Sequence, residues 1–247
     1  MSRVAVVTGG GSGLGLAICQ HLARQGNKVA VLDLSPEGAE TVAAGIRAEG
    51  GQAISVAVDV ADRPSVDAAM DTVRSQLGPI SMLVTSAAIA EFTPFEQITL
   101  DQWDKTLAVN LTGTFHCAQS AIKDMVAANW GRIVMISSSA GQTGTVAQAH
   151  YSASKGGVIA LMKTLALEYG RKGITVNSIP PFAIVTPSLT QRLEEGKLPP
   201  MDKIAQMIPV GRVGSPDDIA ALCTFLCSEA ASYITAQVIS ANGGAVR

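Results

Sequence analysis

A chain of 247 residues that is 47% hydrophobic but only 4% aromatic, with 24 glycines, suits one substantial core, or at most two small ones, in an α/β protein with close helix–strand packing. A formal net charge of -2 without basic runs argues against nucleic acid as the main partner, and the lack of a membrane-length apolar run or an opening signal peptide points to the cytoplasm. The four cysteines (Cys19, Cys117, Cys223, Cys227) fall in apolar, helix-like contexts; Cys223 and Cys227 share a helix face without a second ligand pair, so buried free thiols are expected rather than a metal site or a disulfide.

The β-branched run from Arg3 to Val7 reads as a first strand. It leads into Thr8-Gly9-Gly10-Gly11-Ser12-Gly13-Leu14-Gly15 and then a helical pattern as far as Gly26. Strand, glycine turn and helix together make a phosphate cradle, because glycines let the backbone approach a pyrophosphate whose charge meets the helix N-terminus. A second strand, Lys28 to Leu32, ends at Asp33. An acid there can accept hydrogen bonds from both adenosine ribose hydroxyls and would repel a 2′-phosphate. No Arg follows Asp33 and Ser12 puts no cation in the glycine loop, so NAD is expected ahead of NADP. The bland alternative for Asp33 is an ordinary strand-end acid.

A helix is predicted from about Pro36 to Glu49, then a strand, Ala53 to Val58, ending in Asp59-Val60. Asp59 has two readings, a contact to the adenine amino group or the cap of a helix starting near Pro64. A fourth strand, Ile80 to Thr85, runs into Ser86-Ala87-Ala88-Ile89, and a long helical region, Leu100 to Ala128, carries Asn110 in its middle. A mid-helix Asn is usually a surface residue or one whose amide meets a neighbouring backbone group.

The fifth strand, Arg132 to Ile136, opens into a Ser-rich loop with Ser138 at its mouth, and the following helix carries Tyr151 and Lys155 on one face. In most helices such a pair is only an amphipathic surface. Its chemical reading is an acid/base: a free phenol titrates near pH ~10, and a neighbouring ammonium favours the phenolate. Ser138 would then hold the oxygen that gains or loses the proton.

The sixth strand is Ile174 to Ile179. Pro180 to about Val213 follows as a Pro-rich, then amphipathic insertion, a candidate lid on a single domain. Its stripe of Leu189, Leu193, Leu198, Met201, Ile204, Met207 and Ile208 is more often helix packing than pocket wall; a part facing the cleft would favour a bulky apolar ligand. Pro216 opens a last helix, Asp217 to Leu226, and Val238 to Ser240 is a last strand. Strands alternate with helices throughout, which predicts a parallel, doubly wound sheet with helices on both faces.

Taken together, Thr8-Gly9 to Gly13 with Gly15, Asp59, Asn110, Ser138, Tyr151 with Lys155, Asn177 with Pro181 and Thr186, and the closing Asn242-Gly243-Gly244 make the chain similar to the short-chain dehydrogenase/reductase family over essentially its whole length. The resemblance implies a Rossmann fold of seven strands, hydride transfer with a nicotinamide cofactor, and a homotetramer or dimer built on the two long helices around Asn110 and Tyr151. It implies Tyr151 as acid/base, Ser138 orienting the substrate oxygen, Lys155 binding the nicotinamide ribose and lowering the Tyr151 pKa, and Asn110 holding a water of a proton relay. Cofactor contacts are then expected at Gly9, Ser12, Gly13, Leu14, Gly15, Asp33, Asp59, Val60, Ala87, Tyr151, Lys155, Pro181, Ile184 and Thr186, and substrate contacts at Ser138, Gln148, Tyr151 and Phe182. Gln142, Thr143, Val146 and His150, between Ser138 and Tyr151, could also border the ligand, His150 as a structural or rim residue.

Two stretches depart from the family pattern. Thr85-Ser86-Ala87-Ala88 stands where Asn-Asn-Ala-Gly is usual, and Pro181-Phe182 where Pro-Gly is usual. Phe182 would carry a conformational cost if it kept a glycine's positive φ. The expected activity is interconversion of a secondary alcohol and a ketone on a hydroxysteroid, a cyclic or aryl ketone or a similar ligand; 3-oxoacyl thioester reduction, and a dinucleotide-binding protein without turnover, are the alternatives.

Overall fold

The computed structural model describes residues 2–246. Its elements in chain order are β1 (Val4–Thr8), α1 (Gly13–Arg24), β2 (Lys28–Asp33), α2 (Pro36–Ala48), β3 (Gln52–Ala57), α3 (Arg63–Leu77), β4 (Ile80–Thr85), α4 (Leu100–Leu107), α5 (Gly113–Ala128), β5 (Gly131–Ile136), the short α6 (Ala140–Thr143), α7 (Ala149–Tyr169), β6 (Ile174–Ile179), α8 (Pro187–Glu194), α9 (Met201–Gln206) and α10 (Pro216–Leu226). The strands form one parallel sheet in the order β3-β2-β1-β4-β5-β6. The order reverses between β1 and β4, the point at which open α/β sheets bind ligands beyond their strand ends.

Alternate residues of each strand enter two separate cores. Val4, Val6, Leu32, Leu83, Ile133 and Met135 pack against α3, α5 and α7. Ala5, Val7, Val31, Val84, Val134 and Ile136 pack against α1, α2 and α10. Both faces are covered, which is why these strands read as unbroken aliphatic runs rather than as alternating patterns.

The described residues form six strands, not the seven expected. Val238 meets β6 only at a single parallel bridge with Ser178, flanked by Ser178 N donating to Gln237 O and Ile239 N to Ser178 O, both at 2.9 Å. Ala236 at φ 60 and Gly243 at φ 64 turn the backbone before and after this segment. The long helix expected from Leu100 to Ala128 is also interrupted: Ala108–Thr112 forms a wide π turn between α4 and α5, with Asn110 inside it. The 180–213 insertion holds α8 and α9. Thr186 caps α8, accepting from Leu189 N at 3.3 Å, with Pro187 in the first turn.

Two glycines fix how closely the sheet end can be approached. A Cβ on Gly15 would lie 2.0 Å from Gly9 O, and one on Gly9, itself at φ +65, would lie 2.8 Å from the Ala87 backbone. The glycine turn, the start of α1 and the loop after β4 therefore touch backbone to backbone. Gly15→Ala should lower the thermal unfolding midpoint by several degrees, the overpacking costing about 1–3 kcal/mol; a melting curve matching the parent's would contradict this packing.

Candidate active site

The carboxyl ends of β1 and β4 open a cleft made of two adjoining cavities. The first, of about 640 Å³, is lined by Gly9, Ser12, Gly13, Leu14, Gly15, Asp33, Asp59, Val60, Ala87 and Thr186. The second, of about 520 Å³, is lined by Leu14 and Thr186 again, and by Ser138, Tyr151, Lys155, Pro181, Phe182 and Ile184. All the residues expected at the cofactor thus border one cleft.

The first cavity is set by backbone. Ser12 precedes α1 without a side-chain capping bond, so first-turn N–H groups remain for an anion. The Asp33 carboxylate accepts from Gly11 N at 2.8 Å and Ser35 N at 3.0 Å, which fixes it at the tip of β2 beside the exposed Leu34. Thr8 Oγ1 accepts from Ser86 N at 3.2 Å and Ala87 N at 3.3 Å, tying the loop after β4 to β1. The Thr85 hydroxyl is buried and has no partner among the described residues. Of the two readings of Asp59, the cap falls away: α3 is capped by Asp62, which accepts from Ser65 N at 3.0 Å. Asp59 accepts from Ala61 N at 2.9 Å and borders the cavity.

The second cavity is set by α7. Lys155 is 2% exposed, and its Nζ donates to Ile136 O at 2.9 Å while standing 5.9 Å from the centre of the Tyr151 ring. Burial lowers the Lys155 pKa to about 8. Burial also raises the Tyr151 phenol above its ordinary value, opposed by the Ser138 hydroxyl and the Arg192 guanidinium. The expected lowering of the phenol pKa by Lys155 is therefore not the condition of the unliganded protein. The ammonium is turned to a carbonyl, and burial outweighs the groups that favour phenolate.

Asn110 lies behind the cleft, 0% exposed. Its Nδ2 donates to Ile89 O at 2.9 Å and Ser154 Oγ at 3.0 Å, and its Oδ1 accepts from Ile89 N at 2.9 Å. Ser154 Oγ in turn donates to Tyr151 O at 2.7 Å. Both amide N–H groups are engaged with protein, so its side chain acts as a brace between the loop after β4 and α7.

Gln148 is buried, lies outside the cavity lining and braces the Glu91 carbonyl through Nε2 at 3.5 Å. Gln142, Thr143, Val146 and His150 do not line the cavity either. Val146 is 90% exposed, and His150 is fully buried, in agreement with its reading as a structural residue. Of the apolar stripe in 180–213 only Leu189 lines the cavity; Ile204 and Ile208 are buried, as the helix-packing reading has it, and Met207 is exposed. Phe182 lines the cavity without adopting a positive φ, so the strain anticipated there is absent.

Two charged residues lining the second cavity escaped the sequence reading, Glu91 and Arg192. Arg192 shares one face of α8 with Ser188 and Leu189, a helical spacing that could have marked it. Glu91 follows an apolar loop with no periodic signal. The four cysteines are buried and unpaired, and among the described residues no helix is long and apolar enough to cross a membrane.

Residues 9–246 match the family model described as Enoyl-(Acyl carrier protein) reductase. The D-threitol dehydrogenase of Mycolicibacterium smegmatis is 41% identical over 98% of this chain and 92% of its own. This chain belongs to the short-chain dehydrogenase/reductase family. A second relative, the 3-oxoacyl-(acyl-carrier-protein) reductase FabG of Aquifex aeolicus, is 39% identical over 98% of this chain and 96% of its own. The crystal structure of gox2181 superposes with a TM-score of 0.93 at 35% identity, covering 98% of this chain and 95% of that one. Short-chain dehydrogenases/reductases use nicotinamide dinucleotides, and the first cavity fits one: a glycine cradle that a Cβ would fill, free N–H groups at α1, and a fixed carboxylate at the end of β2.

Lysine NMR of the unliganded protein should show the Lys155 ammonium titrating near pH 8. In an unfolded chain the group titrates at 10.5, so between about 8 and 10.5 the folded state binds fewer protons, and this group's contribution to stability rises with pH across that window. A Lys155 midpoint at its ordinary value would contradict the burial argument.

Proposed function

We propose that the protein is an NAD(H)-dependent oxidoreductase that interconverts a secondary alcohol and a ketone. One observation carries the reading: Ser138, Tyr151 and Lys155 line a cavity that adjoins the glycine-turn cavity and shares Leu14 and Thr186 with it. Bound there, a nicotinamide ring supplies a hydride acceptor in oxidation and a hydride donor in reduction. Tyr151 takes the substrate hydroxyl proton in one direction and returns it to the carbonyl oxygen in the other. The raised phenol pKa keeps the resting side chain protonated, ready for the reductive direction. Ser138, whose Oγ accepts from Ala140 N at 3.1 Å, presents its hydroxyl to the substrate oxygen. Lys155 would hold the ribose hydroxyls of that cofactor, and Asn110 fixes the stretch of α7 that carries both residues.

NAD is favoured over NADP by Asp33. Its two backbone donors hold the carboxylate in place, and Leu34 beside it offers no positive charge to a 2′-phosphate. Residues 180–213 form the lid. A cytoplasmic setting agrees with four unpaired thiols. Phe115 and Leu167 expose apolar surface on α5 and α7, which supports a homotetramer built on these helices, readable as particle mass by light scattering. The similarity to the D-threitol dehydrogenase supports a small polyol as substrate, and that to the 3-oxoacyl-(acyl-carrier-protein) reductase supports an acyl thioester.

Tyr151→Phe should retain NADH binding and lose at least about 100-fold in kcat, the value of a positioned acid/base; near-parental turnover would remove Tyr151 from the mechanism. Replacing Asp33 with Ser and Leu34 with Arg together should shift the kcat/KM ratio of NADP over NAD upward by about 10-fold or more, the size of one charge contact. An unchanged ratio would show that Asp33 does not select the cofactor.

A further inference from the structure

The second cavity holds two charged side chains that the proton chemistry leaves unused. Arg192 enters from α8 and Glu91 from the loop after β4. Arg192 Nη2 donates to Ala90 O at 2.8 Å, and its guanidinium carbon stands 5.5 Å from the centre of the Phe92 ring. The lid arginine is thereby fastened to the residues on either side of Glu91 and keeps further N–H donors for the cavity. The Glu91 backbone carbonyl is braced by Gln148, and its carboxylate accepts from Gln102 Nε2 at 3.4 Å. Among the described residues neither side chain has an ion-pair partner within 4.0 Å.

Opposite charges sharing a cavity without closing on each other restrict what can sit between them. Glu91 is exposed at the cavity mouth and Arg192 is half-buried, so a hydrocarbon or acyl chain lying against them would leave the remaining Arg192 N–H groups without a partner. An anionic substrate would satisfy Arg192 but face Glu91 at the same wall. A hydroxyl donates to a carboxylate and accepts from a guanidinium, so a run of hydroxyls answers both. We propose that Glu91 and Arg192 form a specificity-determining pair that binds the non-reacting hydroxyls of a short polyhydroxylated alcohol, or of the matching hydroxyketone, while its secondary alcohol faces Tyr151. Because Arg192 is carried by the lid, the same contacts draw the lid over the substrate.

This assignment rests on the alcohol–ketone reading of the Tyr151 site, and the test separates the two. Parent, Glu91→Gln and Arg192→Met proteins are assayed with NAD on four- to six-carbon polyols and on 2-butanol, which offers a secondary alcohol without further hydroxyls, and in reverse on acetoacetyl-CoA with NADH. NADH affinity and melting temperature are measured in parallel. The parent should prefer a polyol over 2-butanol by at least 10-fold in kcat/KM. Each substitution should shrink that preference about 10- to 100-fold, mainly through KM, the loss expected for a hydrogen bond to a charged group. Since the readout is a ratio within one protein, a general loss of activity from a loosened lid cancels, and Glu91→Gln preserves shape if Arg192→Met perturbs α8. A parent active on 2-butanol or acetoacetyl-CoA without favouring polyols would overturn this proposal and leave the Tyr151 mechanism standing, as would a preference that both variants keep. A parent inactive on every substrate would overturn both.

Discussion

The cleft depends on one buried amide. Asn110 joins three parts of the chain that are distant in sequence: the wide turn between α4 and α5, the loop after β4 through Ile89, and α7 through Ser154. That loop supplies Ser86 and Ala87 to the first cavity, and α7 supplies Tyr151 and Lys155 to the second. Both halves of the site are therefore registered to the same side chain. A wide turn forfeits regular helical hydrogen bonding, and such turns recur at functional sites. Here the buried amide finds tertiary partners on each of its polar atoms, where an unsatisfied one would cost about 1–3 kcal/mol.

Two buried cations show how differently the chain treats structure and chemistry. Arg132 is 2% exposed, and its guanidinium donates to the carbonyls of Ser228, Gly131 and Gly173, lies 4.3 Å from the centre of the Trp130 ring and comes within 3.5 Å of Glu229. Its charge is answered from several sides, in a region that borders none of the cavities described. Lys155 is equally buried but has, among the described residues, a single carbonyl partner and no carboxylate within 4.0 Å. Burial lowers the pKa of both cations: for Arg132 the nearby Glu229 opposes the shift, whereas Lys155 falls to about 8. An ammonium kept under-solvated at a cleft disfavours the unliganded state and gains most when a polar ligand arrives, a pattern that belongs to functional sites more than to structural ion pairs.

The strands were legible because a parallel sheet covered on both faces demands uninterrupted aliphatic runs, and the run at β4 matches its observed limits residue for residue. The glycine turn, Asp33 and the Tyr151–Lys155 spacing were legible because each is a local pattern with a local reason. What could not be read arises where distant segments meet. The π turn at Asn110 is held by Ile89 and Ser154, neither of which marks itself in sequence as its partner. Val238 and Ile239 have the propensity of a strand, but Ala236 and Gly243 turn the backbone around them. The lid's apolar stripe looks able to wall a pocket, yet Ile208 is buried where a Cβ on Gly243 would touch it, at 2.6 Å. Glu91 and Arg192 become a feature only when α8 is laid over the loop after β4.

The two halves of the cleft also differ in what sets their shape. Around the dinucleotide cradle the limiting contacts are between backbones: Gly15 against Gly9, and Gly9 against Ala87, with Thr8 holding the Ala87 amide. Such a surface barely registers which side chains surround it. The tie from Thr8 Oγ1 accordingly holds even though Thr85 stands where the family pattern has Asn and leaves its own hydroxyl without a partner. In the second cavity the walls are side chains, namely Phe182, Leu189, Arg192 and Glu91. There Phe182 takes the place of a glycine without strain, because the backbone adopts a φ open to any L-residue and the ring turns to the cavity. With the first cavity shaped by backbone and the second by side chains, the second can change its walls while the glycine turn, Asn110 and Tyr151 stay where they are.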